Sequence, residues 1–254
     1  MAQLTDRSVQ NLLAWAATDQ YKIGRPMTVT LVTGANRGLG FETARQLVEL
    51  SHTVYVGVRD VHRGETAAAT LGARFVQLDV TDDVSVRDAL ATVDSAEGRL
   101  DVLVNNAGVS GFGEVDGPTA LHVFDTNAVG IVRVTEAALP LLRKSSNPTV
   151  VNVSSSMGSF WAVTNPDRPE FNLSAALYSA SKAAATMLTV QYAKSHPGIK
   201  FNAIEPGFTA TDMTAGLGGG RPPAESAKTV VYLATLNADG PTGTFQDEFG
   251  KLGW

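Results

Sequence analysis

The stretch LVTGANRGLG, residues 31–40, follows directly on the apolar run TVTLVT and places three glycines within eight residues. A strand that ends in Thr33-Gly34 and passes through Gly38 and Gly40 into the amphipathic segment GFETARQLVEL turns backbone N–H groups and a helix N-terminus toward an anion. Gly34 permits the tight turn, Gly38 a close approach of a diphosphate, and Gly40 the packing of helix on strand, each for want of a Cβ. Loops after strands also carry glycines for turn reasons alone, so this segment leaves two readings open: a phosphate cradle or a simple turn.

Outward from the loop, short β-rich runs alternate with helical segments: TVTLVT, GFETARQLVEL, TVYVGV, RGETAAATL, FVQLDV, VSVRDALATV, DVLVNNAG. Strands that are apolar throughout, without in/out alternation, imply a parallel sheet covered by helices on both faces. The fold class is therefore α/β, a doubly wound parallel sheet of the Rossmann type in a single domain. The second half continues with a helical stretch near 119–144, the strand TVVNVSS, a helix around 178–194, the strand KFNAIEP and a helix around 224–235. Two segments break the rhythm. Residues 1–26 form an N-terminal extension in which Val9, Leu12, Leu13 and Ala16 share a helical face; it is either dispensable or docked on the sheet's flank. The proline-bearing insert FWAVTNPDRPEFNLSAA, before Tyr178, reads as a loop.

A chain of 254 residues with 44% hydrophobic residues suits one α/β domain able to bury a sizeable core. A net charge of −5 and the lack of any long Lys/Arg run argue against nucleic acid or an anionic membrane as partner, and for a small molecule. The absence of cysteine excludes disulfides and a thiolate nucleophile, and His52, His62, His122 and His196 lie too far apart in sequence to suggest a metal cluster. No apolar run approaches the roughly 18 to 20 residues of a membrane span. The short LLAWAA between Asp6 and Asp19 is neither anchor nor signal peptide, so the expected compartment is cytoplasmic.

The glycine spacing is T-G-x-x-x-G-x-G, which resembles the short-chain dehydrogenase/reductase family and, within it, carbonyl-reductase-like members. LDV with Asp79, NNAG at 105–108, NAVG with Asn127, VNVSSSMG, YSASK and EPGFTATDM occur in the family's order and extend the resemblance from about Thr28 to the C-terminus. It implies a reductase domain over residues 27–254 whose first half binds a dinucleotide. For the cofactor it implies contacts from Gly34, Asn36, Arg37, Gly38, Leu39 and Gly40, from Arg59, Asp79 and Val80, from Asn105, Ala107 and Gly108, and from Tyr178, Lys182, Pro206, Gly207, Thr209 and Thr211. No metal is expected.

Tyr178 and Lys182, four apart, share one helix face, close enough for an ammonium to bias a phenol. A free tyrosine titrates near 10, so it exchanges protons slowly near neutrality unless a positive charge stabilises the phenolate. By resemblance, Tyr178 donates a proton to a substrate oxygen while NADPH delivers hydride to the carbonyl carbon. Ser155 binds the same oxygen, Lys182 also binds the nicotinamide ribose, and Asn127 holds a water that links Lys182 to solvent. Among three adjacent serines, Ser155 fits the S-x-x-G arrangement with Gly158, and strand alternation turns Ser154 and Ser156 the other way.

Cofactor choice rests on two arginines. A carboxylate at the end of the second strand would repel a 2′-phosphate, but VGVRD places Arg59 at that corner, with Asp60 one residue on and pointing away. Arg37 approaches the same phosphate from the glycine loop, and both guanidinium groups favour NADP(H) over NAD(H). The partner is then a small carbonyl or alcohol. Ser155 and Tyr178 are 23 apart, wider than the family's usual spacing, and the extra residues point to a monomer or homodimer and not a tetramer. Competing readings are a non-catalytic NADP(H)-binding sensor and an epimerase or dehydratase of nucleotide sugars.

Overall fold

Eight strands, β1 (Val29–Thr33), β2 (Thr53–Val58), β3 (Arg74–Gln77), β4 (Val102–Asn105), β5 (Thr149–Val153), β6 (Lys200–Ile204), β7 (Thr244–Asp247) and β8 (Gly250–Lys251), form one sheet in the order 3-2-1-4-5-6-7-8. All pairs are parallel except β7 with β8. The computed structural model describes residues 27–111 and 113–254, so the extension and its apolar face lie outside the described residues.

Every residue of β1, β5 and β6 is buried, polar Thr30, Asn152 and Asn202 included, which is why these strands show no in/out alternation. Their side chains divide between two cores by strand alternation. Tyr55, Leu31, Leu103, Val150 and Phe201 lie in register across the sheet and pack on one face against α3 (Asp83–Glu97) and α5 (Gly130–Leu142). Val32, Val56, Val104 and Val151 line the other face with α1 (Gly38–Glu49), α2 (Val61–Leu71) and α8 (Pro223–Ala234). Between α3 and α5 lies α4 (Gly117–Phe124), continued into α5 by a π-helical turn at Asp125–Val129. The long α7 (Ala176–Ser195) precedes β6.

Strand order reverses between β1 and β4, the place at the carboxyl ends of the strands where doubly wound sheets bind their ligands. The glycine loop leaves β1 on one side of it, and Asn105–Gly108 leaves β4 on the other.

The structure departs from the sequence reading in two places. The insert is no plain loop: it contains α6 (Phe160–Thr164) and a 3-10 turn at Pro169–Asn172. Ser159 Oγ accepts from Ala162 N at 3.0 Å and donates to Gly253 O at 2.7 Å, while Trp161 N donates to Trp254 O at 2.8 Å. The insert thus gains order from the distant C-terminus, which local periodicity does not reveal. β7 and β8 also went unread, because TFQD contains a single apolar residue; Asn202 holds its first residue, its Oδ1 accepting from Thr244 N at 3.1 Å and Oγ1 at 2.7 Å. No helix among the described residues is long and apolar enough to cross a membrane.

Candidate active site

The glycine loop is braced by the strand beside it. Thr33 Oγ1 accepts from the backbone N–H groups of Asn106 and Ala107, each at 3.0 Å, and Asn106 Nδ2 donates to Thr33 O at 2.8 Å. Gly34 and Gly38 have φ of +66° and +55°, a region where a Cβ is strained. Gly40 is helical, but a Cβ there would stand 2.4 Å from Asn106 Nδ2 and 2.7 Å from Gly34 O. It permits packing of α1 onto the loop after β4. The first turn of α1 carries no acidic residue and Arg37, at its N-cap, makes no side-chain cap, so its N–H groups remain available to an anion. Asn36 and Leu39 are half-buried in the same turn.

Beyond β2, Arg59 is exposed beside a concavity of about 440 Å³ that Gln77, Asp79 and Asp82 also line. Asp60 caps α2, its Oδ1 accepting from Arg63 N at 2.9 Å, which commits that carboxylate away from the corner. Burial acts to raise the Asp79 carboxyl, yet two hydrogen bonds from Thr81 and the nearby Arg59 and Arg133 outweigh it and hold the group below the usual carboxylate range. Val80 is buried against Gly130. The Asn105 side chain points inside the fold, donating to Thr135 Oγ1 at 3.1 Å and Asn152 Oδ1 at 2.8 Å, so it faces no ligand.

Four residues from three parts of the chain meet at the open end of β4 and β5. Tyr178 and Lys182 project from α7, with Lys182 Nζ 5.7 Å from the Tyr178 ring centroid and donating to Val153 O at 2.7 Å. Asn127 sits in the π turn: Oδ1 accepts from Val109 N at 2.8 Å, and Nδ2 donates to Val109 O at 2.8 Å and Ser181 Oγ at 2.9 Å. Gly108 lies between these groups, a Cβ there falling 3.3 Å from Asn127 Oδ1 and 3.6 Å from Lys182 Nζ. Ser155 hydrogen-bonds Tyr178. Its neighbours turn elsewhere: Ser154 Oγ bonds Lys182 O at 3.1 Å and Thr186 Oγ1 at 2.7 Å, and Ser156 opens a 3-10 turn. β5 has ended at Val153, so the direction of Ser156 comes from that turn and not from strand alternation. The turn is clamped to α7, because a Cβ on Gly158 would meet Lys182 C at 2.5 Å.

Electrostatics separate the pair. Burial, reinforced by the charge of Glu205, pushes the Tyr178 phenol up to about 12 against the pull of Ser155. Burial brings the Lys182 ammonium down to about 8, with Glu205 opposing. The phenol therefore stays protonated near neutrality; burial and Glu205 set its titration, and not the Lys182 ammonium that the helix spacing led one to expect.

After β6 the chain returns to the glycine loop. Gly207 has φ of +80°, and Arg221 covers it, its Nε donating to Pro206 O at 3.2 Å. Thr209 Oγ1 donates to Gly207 O at 2.8 Å. Thr211 Cγ2 lies 3.2 Å from the Cβ position of Gly38, and Asp212 forms an ion pair with Arg37.

Comparison with known proteins decides the family. Residues 28–221 match the model of the short chain dehydrogenases. The chain belongs to that family. It is 33% identical to salutaridine reductase of Papaver bracteatum, covering 87% of this chain and 96% of the relative, and 30% identical to (+)-neomenthol dehydrogenase of Capsicum annuum, covering 85% and 94%. Among solved structures, NADPH-bound carbonyl reductase from chicken fatty liver superposes with a TM-score of 0.79 at 28% identity, covering 91% of this chain and 100% of that one. The dehydrogenase fold thus extends over nearly the whole described chain.

Sequence reasoning gave Glu205 no role, although it quoted the motif that contains it. This residue of the dehydrogenase is 9% exposed, with Oε1 accepting from Gly207 N at 2.6 Å and Oε2 from Ser156 N. An acidic residue directly after the fully buried strand KFNAI was the available signal.

Proposed function

We propose that this short-chain dehydrogenase is an NADP(H)-dependent reductase of ketone or aldehyde carbonyls, with Tyr178 as general acid. The observation that carries this reading is the meeting of Tyr178 with Ser155 and Lys182, and of Lys182 with Asn127 beside Gly108, at the ends of the strands that the glycine loop also follows. The cradle suits a dinucleotide, since a Cβ is strained by the left-handed φ at 34 and 38 and one at 40 would close the loop. Asn36, Arg37, Gly38 and Leu39 would hold the diphosphate, Arg59 and Asp79 the adenosine, Ala107, Gly108, Tyr178 and Lys182 the nicotinamide ribose, and Pro206, Gly207, Thr209 and Thr211 the nicotinamide. When bound, NADPH supplies hydride to the carbonyl carbon.

Tyr178 donates its phenolic proton to the substrate oxygen, and Ser155 donates a hydrogen bond to that oxygen. Lys182 stabilises the phenolate left behind. Both N–H bonds of Asn127 Nδ2 are already engaged, so a relay water would be held by the main-chain carbonyl or by the second lone pair of Oδ1. Phe208 and Met213, exposed after β6, make apolar ketones and aldehydes the substrates to screen first.

The test is NADPH oxidation over chemically diverse carbonyls by wild type and Tyr178→Phe. Turnover in the wild type with near-complete loss in the variant, NADPH affinity being kept, is expected. A fully active Tyr178→Phe removes the proton-donor role, and NADPH binding without turnover of any carbonyl supports the sensor instead.

A further inference from the structure

Glu205 ends the β6 register and ties two loops together. Its Oε1 accepts from Gly207 N and its Oε2 from Ser156 N, with the hydroxyls of Ser155 and Ser156 beside the same carboxylate; the one Ser155 proton is shared between Glu205 and the Tyr178 side of the cluster. Its own N–H donates to Gln246 O at 2.7 Å. One side chain therefore spans the turn carrying Ser155 and the glycine turn before Arg221. Burial pushes this carboxyl up, and the hydrogen bonds from Ser156, Gly207 and Ser155 oppose it. An amide in its place lacks both the second acceptor oxygen and the charge facing α7.

The charged surroundings are few. From α7, Lys182 and Tyr178 feel Glu205 directly. From the insert, Glu170 shares Ser156 as hydrogen-bond partner and is held by Arg168 at 3.0 Å. From the segment after β6, Arg221 holds Pro206 O and pairs with Glu248. Lys182 is thus the cation facing Glu205 that has no carboxylate partner of its own in an ion pair among the described residues.

We propose that Glu205 is a positioning residue of the reductase site: its carboxylate holds the Ser155 turn against the Gly207 turn and presents a charge to the cluster of Ser155, Tyr178 and Lys182. This rests on the reading of Tyr178 as proton donor. Removing the charge makes every proton in the cluster easier to lose, so all its titrations move to lower pH together.

The experiment uses the full chain as wild type, Glu205→Gln, Glu205→Asp and Tyr178→Phe. In Glu205→Gln the alkaline fall of reductive kcat/KM is expected about one pH unit lower than in wild type. The tyrosinate absorbance of the cofactor-free protein at a fixed alkaline pH should rise, and a second Tyr178→Phe substitution should cancel that rise. NADPH affinity, read by fluorescence, should fall by no more than severalfold, because the carboxylate holds only Gly207 N among the groups assigned to the cofactor. Glu205→Asp, which keeps the charge on a shorter arm, should retain the wild-type pH profile with kcat lowered severalfold, and it carries the test alone if Glu205→Gln does not fold. Coincident pH profiles and tyrosinate signals for Glu205→Gln and wild type, or wild-type kcat in Glu205→Asp, overturn the proposal. An active Tyr178→Phe sinks the underlying reading instead, and the two failures are thereby distinct.

Discussion

Arg37, at the N-cap of α1, and Asp212, in the segment after β6, form an ion pair across 175 positions of sequence. It closes the segment after β6 over the glycine loop at the point where a 2′-phosphate would seek the same guanidinium. Both side chains are largely exposed, 63% and 70%, so the pair is worth no more than about 1 kcal/mol. Asp212→Asn should therefore tighten NADPH by at most about fivefold and leave NADH unchanged. Arg37→Ser with Arg59→Ala should raise the KM for NADPH strongly with little effect on NADH. Steady-state kinetics with both cofactors check this, and equal wild-type use of the two would defeat it.

Ser155 and Ser154 are adjacent but should fail differently. Ser155→Ala removes the hydroxyl that faces Tyr178 and should cut kcat by about 100-fold or more, with a loss of about 1–2 kcal/mol of stability because the same hydroxyl accepts from Met157 N and lies beside the buried Glu205 carboxylate. Ser154→Ala removes buried bonds to Thr186 and Lys182 and should cost about 1–2 kcal/mol of stability while activity largely survives. Paired denaturation and turnover measurements decide, and equal losses of kcat would show the assignment to be wrong.

Gly40→Ala places a methyl against Asn106 Nδ2 and Gly34 O. Overpacking of this kind costs about 1–3 kcal/mol. Because the displaced groups shape the loop itself, NADPH affinity should fall as well. Gly72→Ala, at a left-handed cap with open space, is the control: it should lose stability through its φ of +67° and leave cofactor binding intact. Similar NADPH affinities in the two variants would contradict the packing argument.

Carbonyl reduction should be level near neutrality and fall as the pH rises through about 8, where Lys182 loses its proton. The sign follows from the chemistry: Tyr178, pushed up to about 12, remains a phenol over that range, but a neutral Lys182 no longer stabilises the phenolate formed on proton donation. Alcohol oxidation begins from the phenolate and should run the other way, gaining with pH. Reductive kcat/KM that stays flat to about pH 10 would exclude this coupling.

The doubly wound sheet was legible in the sequence because strands covered on both faces, such as VTLVT and TVVNV, are mostly apolar with no charged residue and no in/out alternation, and their few polar side chains are buried too. The glycine loop was legible because left-handed φ and a closed Cβ position select one residue type at 34, 38 and 40. Tyr178 and Lys182 were legible as a pair because one turn of helix fixes their common face. Other features depend on contacts between distant segments, which local periodicity does not record. Asn127 acquires its direction from a π turn and Val109, the insert acquires α6 from Gly253 and Trp254, and β7 is held by Asn202. Glu205 is the clearest case: in sequence it is one acid before a Pro-Gly pair, and only the meeting of β6 with the Ser155 turn and α7 surrounds its charge with Ser155, Tyr178 and Lys182. Local stereochemistry and burial pattern are written residue by residue, whereas the field at a reacting atom is a sum over groups that only the folded chain brings together.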